Sequence, residues 1–220
     1  SRNSAKSSSL PDLRKYPSGT PRKKAFLRTV MPYITSQNAA ITAERNWLIS
    51  KQYQGQWSPA ERARLKDIAK RYKVKWSGNT RKIPWNTLLD RVDIIPTSMV
   101  ATMAAAESGW GTSKLARNNN NLFGMKCMKG RCTNAPGKVK GYSQFSSVKE
   151  SVSAYVTNLN THPAYSSFRK SRAQLRKADQ EVTATAMIHK LKGYSTKGKS
   201  YNNYLFAMYQ DNQRLIAAHM

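Results

Sequence analysis

Apolar residues return at helical spacing along most of the chain. Ala25, Phe26, Val30, Ile34, Ile41, Trp47 and Leu48 predict one or two amphipathic helices from about Pro21 to Gln52, with Pro32 near a helix start. Ser58-Pro59-Ala60-Glu61 has the form of a capping box with proline at the first helical position, and Leu65, Ile68, Ala69 and Tyr72 continue its apolar face. Trp76-Ser77-Gly78-Asn79 reads as a turn, and a short helix follows Pro84 through Trp85, Leu88 and Leu89. Pro96-Thr97-Ser98 opens the next helix, which ends near Glu107. Its apolar positions are Met99, Val100, Met103, Ala104 and Ala106, and Gly109 is a natural stop. The period resumes after Ser147 through Val148, Val152, Tyr155, Val156 and Leu159. Further helices fit Ser171 to Arg176, Val182 to Leu191 and Tyr201 to Leu215. The stretch from Asn118 to Gly141 is rich in Asn, Gly and Lys, with room for a short hairpin or an irregular lobe. The pattern gives an α+β but predominantly α fold of about eight helices with one small non-helical lobe.

Charge changes this picture most. Against 11 Asp and Glu stand 38 Lys and Arg, a formal net charge of +27. Such an excess implies an anionic partner: nucleic acid, acidic lipid or a cell-wall polymer. No nucleic-acid recognition motif accompanies it, and no apolar run approaches the length of a membrane span. Residues 1–20 have no apolar period and read as a basic flexible arm, followed by an N-terminal helical extension over 21–83. The first residue is Ser1, which fits a processed or truncated N-terminus with any export signal outside this chain.

Two cysteines exclude a disulfide scaffold and most structural zinc sites. Cys127 and Cys132 flank a loop in which Gly130 permits a tight turn, so an intramolecular disulfide is expected and with it an oxidising compartment. The alternative is a pair of free thiols in the cytosol. His162, His189 and His219 have no metal-ligand spacing, and serine-hydrolase, phosphate-loop and zinc-protease motifs are absent. No cofactor and no metal is expected.

Glu107 is the most informative residue. It lies four positions after Met103 and eight after Met99, on the side of the apolar stripe, and at a helix C-terminus, where the dipole disfavours negative charge. Burial and the dipole both favour a protonated carboxyl, the form a glycosidase uses to protonate a leaving oxygen.

Its neighbours are more specific. Glu107-Ser-Gly-Trp-Gly-Thr-Ser113 is followed by Asn120-Asn-Leu-Phe-Gly-Met-Lys126 and later by Gly193-Tyr-Ser-Thr-Lys-Gly-Lys-Ser-Tyr201. These blocks resemble the glucosaminidase family of peptidoglycan hydrolases, over about residues 84–216. The resemblance implies a lysozyme-like fold with a saccharide groove between a helical body and a small β-lobe. It implies cleavage of the β-1,4 bond after N-acetylglucosamine in peptidoglycan glycan strands, in the periplasm or outside the cell, with anionic envelope polymers as further partners. Glu107 takes the family's general-acid position and Tyr194 that of its site tyrosine. Ser108, Trp110, Asn120, Asn121, Phe123 and Tyr201 are the substrate-binding candidates. For Trp110 and Phe123 packing around the motif competes with stacking on sugar, and for the asparagines a polar helix-ending loop is the alternative.

The chain departs from the family in two places. Many members carry a second carboxylate on the lobe, but here no acid occurs between Glu107 and Glu150, whereas Lys126, Lys129, Arg131, Lys138, Lys140 and Lys149 do. Glu150 is then the nearest second carboxylate, with pairing to a helix N-terminus as its other role. Otherwise the 2-acetamido group of the substrate attacks, supported by Tyr194, or the protein binds glycan with weak or no catalysis. Lys197-Gly198 also replaces the family's Asp-Pro, which alters the electrostatics near Tyr194. A muramidase or lytic transglycosylase shares the lysozyme-like plan but has a different pattern after Glu-Ser.

Overall fold

The computed structural model describes residues 10–127, 130, 132, 135–191 and 198–220. The helices are α1 (Thr20–Lys51), α2 (Pro59–Arg71), α3 (Trp85–Arg91), α4 (Thr97–Ser108), α5 (Lys114–Asn119), α6 (Val148–Thr161), α7 (Ser166–Lys177), α8 (Ala184–Met187) and α9 (Lys199–Ala217). The chain is predominantly α, consistent with a lysozyme-like helical domain.

α1 is one helix, and Pro32 lies inside it rather than at a start. An interior proline costs about 3 kcal/mol in a helix. Here Val30, Met31 and Ile34 are buried on either side of it, and that packing keeps the helix continuous. α2 begins with the expected capping box: Ser58 Oγ accepts from Glu61 N, and the Glu61 carboxylate accepts from Ser58 N.

α4 lies between α1 and α9, with α6 also against α1 and α7 against α3. Its buried residues run from Met99 to Ala105 without a break. A helix apolar all round is a core helix, not an amphipathic one. The expected stripe was therefore too narrow, because Ala101, Thr102 and Ala105 are buried as well.

The loop entering α4 is fastened by polar groups. Arg172, fully buried, donates to the carbonyls of Asp90, Asp93 and Ile94 and to the Asn160 side chain at 2.6–3.2 Å. Arg45 donates to the carbonyls of Leu89 and Val92, and Asn38 to that of Ile95. The Asp93 carboxylate is gripped by Arg176 at 2.9 and 2.7 Å. Burial alone would push this carboxyl up, but Arg176, Arg172 and Arg45 together hold it below its ordinary value. Burial pushes the Arg172 guanidinium down to about 10.

Of the stretch read as a flexible arm, residues 1–9 lie outside the described residues. The part after it is packed: Leu13 is fully buried in a 3-10 turn, Leu13–Lys15. Among the described residues the expected β-lobe contains almost no β-structure. Among the described residues its only bridge is antiparallel, Lys126 with Tyr142.

Candidate active site

Glu107 sits in the last turn of α4, where the core helix emerges, and its side chain is exposed. The expected burial on the apolar stripe is not found, because the stripe closes over Ala105 one residue before the turn opens outward.

The chain then turns sharply. Gly109, Trp110 and Gly111 all have positive φ, at 54°, 55° and 80°. For a residue with a side chain this region costs roughly 1–2 kcal/mol, so Trp110 is held there by contacts. Its ring meets Phe26 edge to face at 5.6 Å, and Lys23 Nζ lies 5.0 Å from its centroid. Trp110 thus packs on α1. Ser108 is fully buried; its Oγ donates to Ala104 O at 2.6 Å and accepts from Gly111 N at 2.9 Å. It shapes the turn and has no surface for a sugar. Ser113 caps α5 by accepting from Ala116 N.

Two groups address the Glu107 carboxylate. The Tyr201 hydroxyl donates to Oε1. Burial, then the neighbouring Glu107, pushes the Tyr201 hydroxyl up, so it remains a donor at physiological pH. On the other side lies Gly124, at φ +65°, where an added Cβ would stand 3.2 Å from Oε2. The glycine leaves that oxygen uncovered. Behind this pair Phe123 stacks on Tyr155, with centroids 4.2 Å apart and planes 7° from parallel. Tyr155 is buried, which pushes its hydroxyl well up, and Tyr201 and Glu107 add to the shift. Phe123 is therefore spent on packing.

The asparagine run holds the lobe together. Asn119 donates to the carbonyls of Val139 and Ser143 and accepts from Val139 N. Asn121 donates to the carbonyls of Met125 and Ser143 and accepts from the amides of Phe123 and Met125. Asn120, in the left-handed region, donates to Phe145 O at 3.0 Å. These amides replace sheet ladders, satisfying the main chain where strands do not form. Helix α5, unforeseen in the pattern, presents the first of them. Cys127 and Cys132 are joined by a disulfide, with Cα atoms 5.2 Å apart.

Glu150 does what its alternative role requires. Its carboxylate accepts from the amide and hydroxyl of Ser146, and its own amide donates to Ser147 Oγ, the N-cap of α6. It also borders an open cleft of about 500 Å³ lined by Asn120, Lys138, Gln144, Phe145 and Ser146. Tyr194 lies outside the described residues. Among the described residues no group of three or more His, Cys, Asp or Glu could hold a metal, and no helix is long and apolar enough to cross a membrane.

Four residues escaped sequence reasoning. Gly124 was hidden as one letter of its block, although its positive φ is the usual reason for such a glycine. Tyr155 read only as an apolar position of α6. Leu13 and Leu10, the only leucines of the basic stretch, were the sole hint that part of it packs.

Residues 84–214 match the profile of the glucosaminidase family, described as mannosyl-glycoprotein endo-beta-N-acetylglucosaminidase. No solved structure matches the chain significantly.

Proposed function

The chain belongs to the glucosaminidase family of glycosidases, and on that premise we propose that it is an endo-β-N-acetylglucosaminidase of peptidoglycan with Glu107 as general acid. The observation that carries this reading is convergence. The first block supplies the carboxylate, Gly124 of the second leaves Oε2 open, and Tyr201 of the third donates to Oε1. With Oε1 engaged, Oε2 is the oxygen free to carry the transferable proton to the glycosidic oxygen.

The attacking group is the substrate's own acetamido oxygen. What supports this is the acid inventory. No acid lies between Glu107 and Glu150, and the Glu150 carboxylate is engaged by the amide and hydroxyl of Ser146 at the entry to α6. In this route the acetamido carbonyl oxygen bonds to the anomeric carbon as the C–O bond to the leaving sugar breaks, and the leaving oxygen takes the proton of Glu107. Water then opens the oxazolinium ring, giving its proton to the Glu107 carboxylate. Tyr194 remains the candidate for supporting charge in that step. The disulfide and the excess of cations fit a periplasmic or secreted enzyme working among anionic envelope polymers.

Digestion of purified peptidoglycan, with identification of the new reducing sugar, tests the reading. N-acetylglucosamine ends are expected. Glu107→Gln keeps the shape but has no proton to give, and a loss of about 10²–10⁴-fold is expected with the circular dichroism unchanged. Muramic or anhydro ends would place the chain with muramidases or transglycosylases. Binding without digestion would make it a glycan-binding protein.

A further inference from the structure

We infer that the segment Leu10–Tyr16, far upstream of the family-matched region, is a positioning strap for Glu107, and that Leu13 is its working residue. The inference rests on Glu107 being the general acid. Leu13 is fully buried against the turn that follows Glu107: a Cβ added to Gly111 would stand 2.4 Å from Leu13 Cδ1, 3.1 Å from Phe26 Cδ2 and 3.6 Å from Leu10 Cδ1. The bare α-carbon of Gly111 is thus the seat of the strap.

The strap is built to stay there. Asp12 caps its 3-10 turn by accepting from Arg14 N, and the Arg22 guanidinium donates to the carbonyls of Leu13 and Tyr16 at 3.1 and 3.0 Å. The next residue of α1, Lys23, reaches both sides of the site. It lies over Trp110 and donates to Asn212 Oδ1 at 2.8 Å, on the same helix that carries Tyr201. The carboxylate and its hydroxyl donor are therefore referenced to one another through residues 10–26. Gly109 and Gly111 take positive φ freely but Trp110 does not, so beyond the Ser108 hydroxyl bridge it is the packing of Leu13 and Phe26 that steadies the turn. Released from Leu13, it would let Glu107 drift, and a displacement of about 1 Å at a reacting group costs on the order of 10²-fold in rate.

The test measures kcat and KM on a soluble peptidoglycan tetrasaccharide, with folded fraction followed by circular dichroism below the melting transition. The variants are Leu13→Ala, Leu13→Met, Arg22→Gln and Glu107→Gln in the full chain. The strap is supported if Leu13→Ala lowers kcat by about 10–10²-fold per folded molecule with KM within about threefold. Leu13→Met should restore most of the rate, and the more exposed Arg22→Gln should lower kcat less than Leu13→Ala without unfolding the protein. If Leu13→Ala and Arg22→Gln melt earlier yet turn over normally per folded molecule, while Glu107→Gln is inactive, the strap is only structural and the inference is overturned alone. If Glu107→Gln is active, the general-acid reading fails, and the strap inference fails with it.

Discussion

Replacing Asp93 by Asn is expected to destabilise the protein by about 3–5 kcal/mol, the usual cost of removing one partner from a buried ion pair. The substitution keeps the shape and one acceptor oxygen but removes the charge that Arg45, Arg172 and Arg176 share. Their contributions differ. Arg176 is nearest, but its side chain is 37% exposed, so solvent screens it to about 1 kcal/mol or less. Arg172 is 3.8 Å away with both side chains almost wholly buried. At an effective dielectric constant near 20, that separation corresponds to roughly 4 kcal/mol. Arg45 is 3.5 Å away and its side chain is 14% exposed, so its share is of the same order. The asparagine variant leaves Arg172 and Arg45 largely buried without their counter-charge, and these two terms dominate. For a chain of this size the loss corresponds to a fall in Tm of roughly 6–20 °C. Thermal and urea unfolding by circular dichroism would measure it. The pH dependence supplies a second arm. The carboxyl is held below its ordinary 3.8 in the folded protein. Its contribution is therefore fully present above that ordinary value and is lost as pH falls through the lower folded value. The variant should lose less stability than the parent on acidification through this window. A Tm change below about 2 °C, or an unaltered acid limb, would refute the assignment of Asp93 as the counter-charge.

Tyr201→Phe removes the donor to Glu107 and should lower kcat by roughly 10–10²-fold, the worth of a hydrogen bond to a charged group, with Tm little changed; steady-state kinetics decide. Glu150→Gln should keep most of its activity and lose about 0.5–1 kcal/mol through the weakened cap of α6, whereas a variant as inactive as Glu107→Gln would restore a two-carboxylate mechanism. Cys127→Ser with Cys132→Ser should cost about 2 kcal/mol by loop entropy, and intact mass before and after reduction with alkylation should report one disulfide in the parent.

The helices with clear caps or long apolar periods were legible in the sequence. Ser58 and Glu61 announced α2, and Val148 to Leu159 announced α6. What remained hidden was held by long-range polar contacts. Arg172 reads as surface charge on α7, yet it is among the largest fully buried side chains, because carbonyls from a loop some 80 residues earlier satisfy it. Glu107 was identified by its motif, not by its pattern. The helical spacing put it on the buried side, while the true core helix is buried all round and opens only at its last turn. The Asn run stands out in the sequence, and its amides serve the main chain of the lobe. Nothing local to Asn119 or Asn121 says that their partners lie near residues 125, 139 and 143.

In a paired hairpin, inserting one residue turns the following side chains to the opposite face, so such elements evolve under strict length constraints. Among the described residues the small lobe keeps that constraint only around the Lys126–Tyr142 bridge. Its ends are clamped by Asn119 and Asn121 onto main-chain atoms, which every amino acid carries, rather than by a register of side chains. The residues that carry those main-chain atoms, Val139 and Ser143, can change identity while Gly124 stays beside Glu107. Descendants of this sequence can therefore retune what the cleft recognises without disturbing the carboxylate beside it.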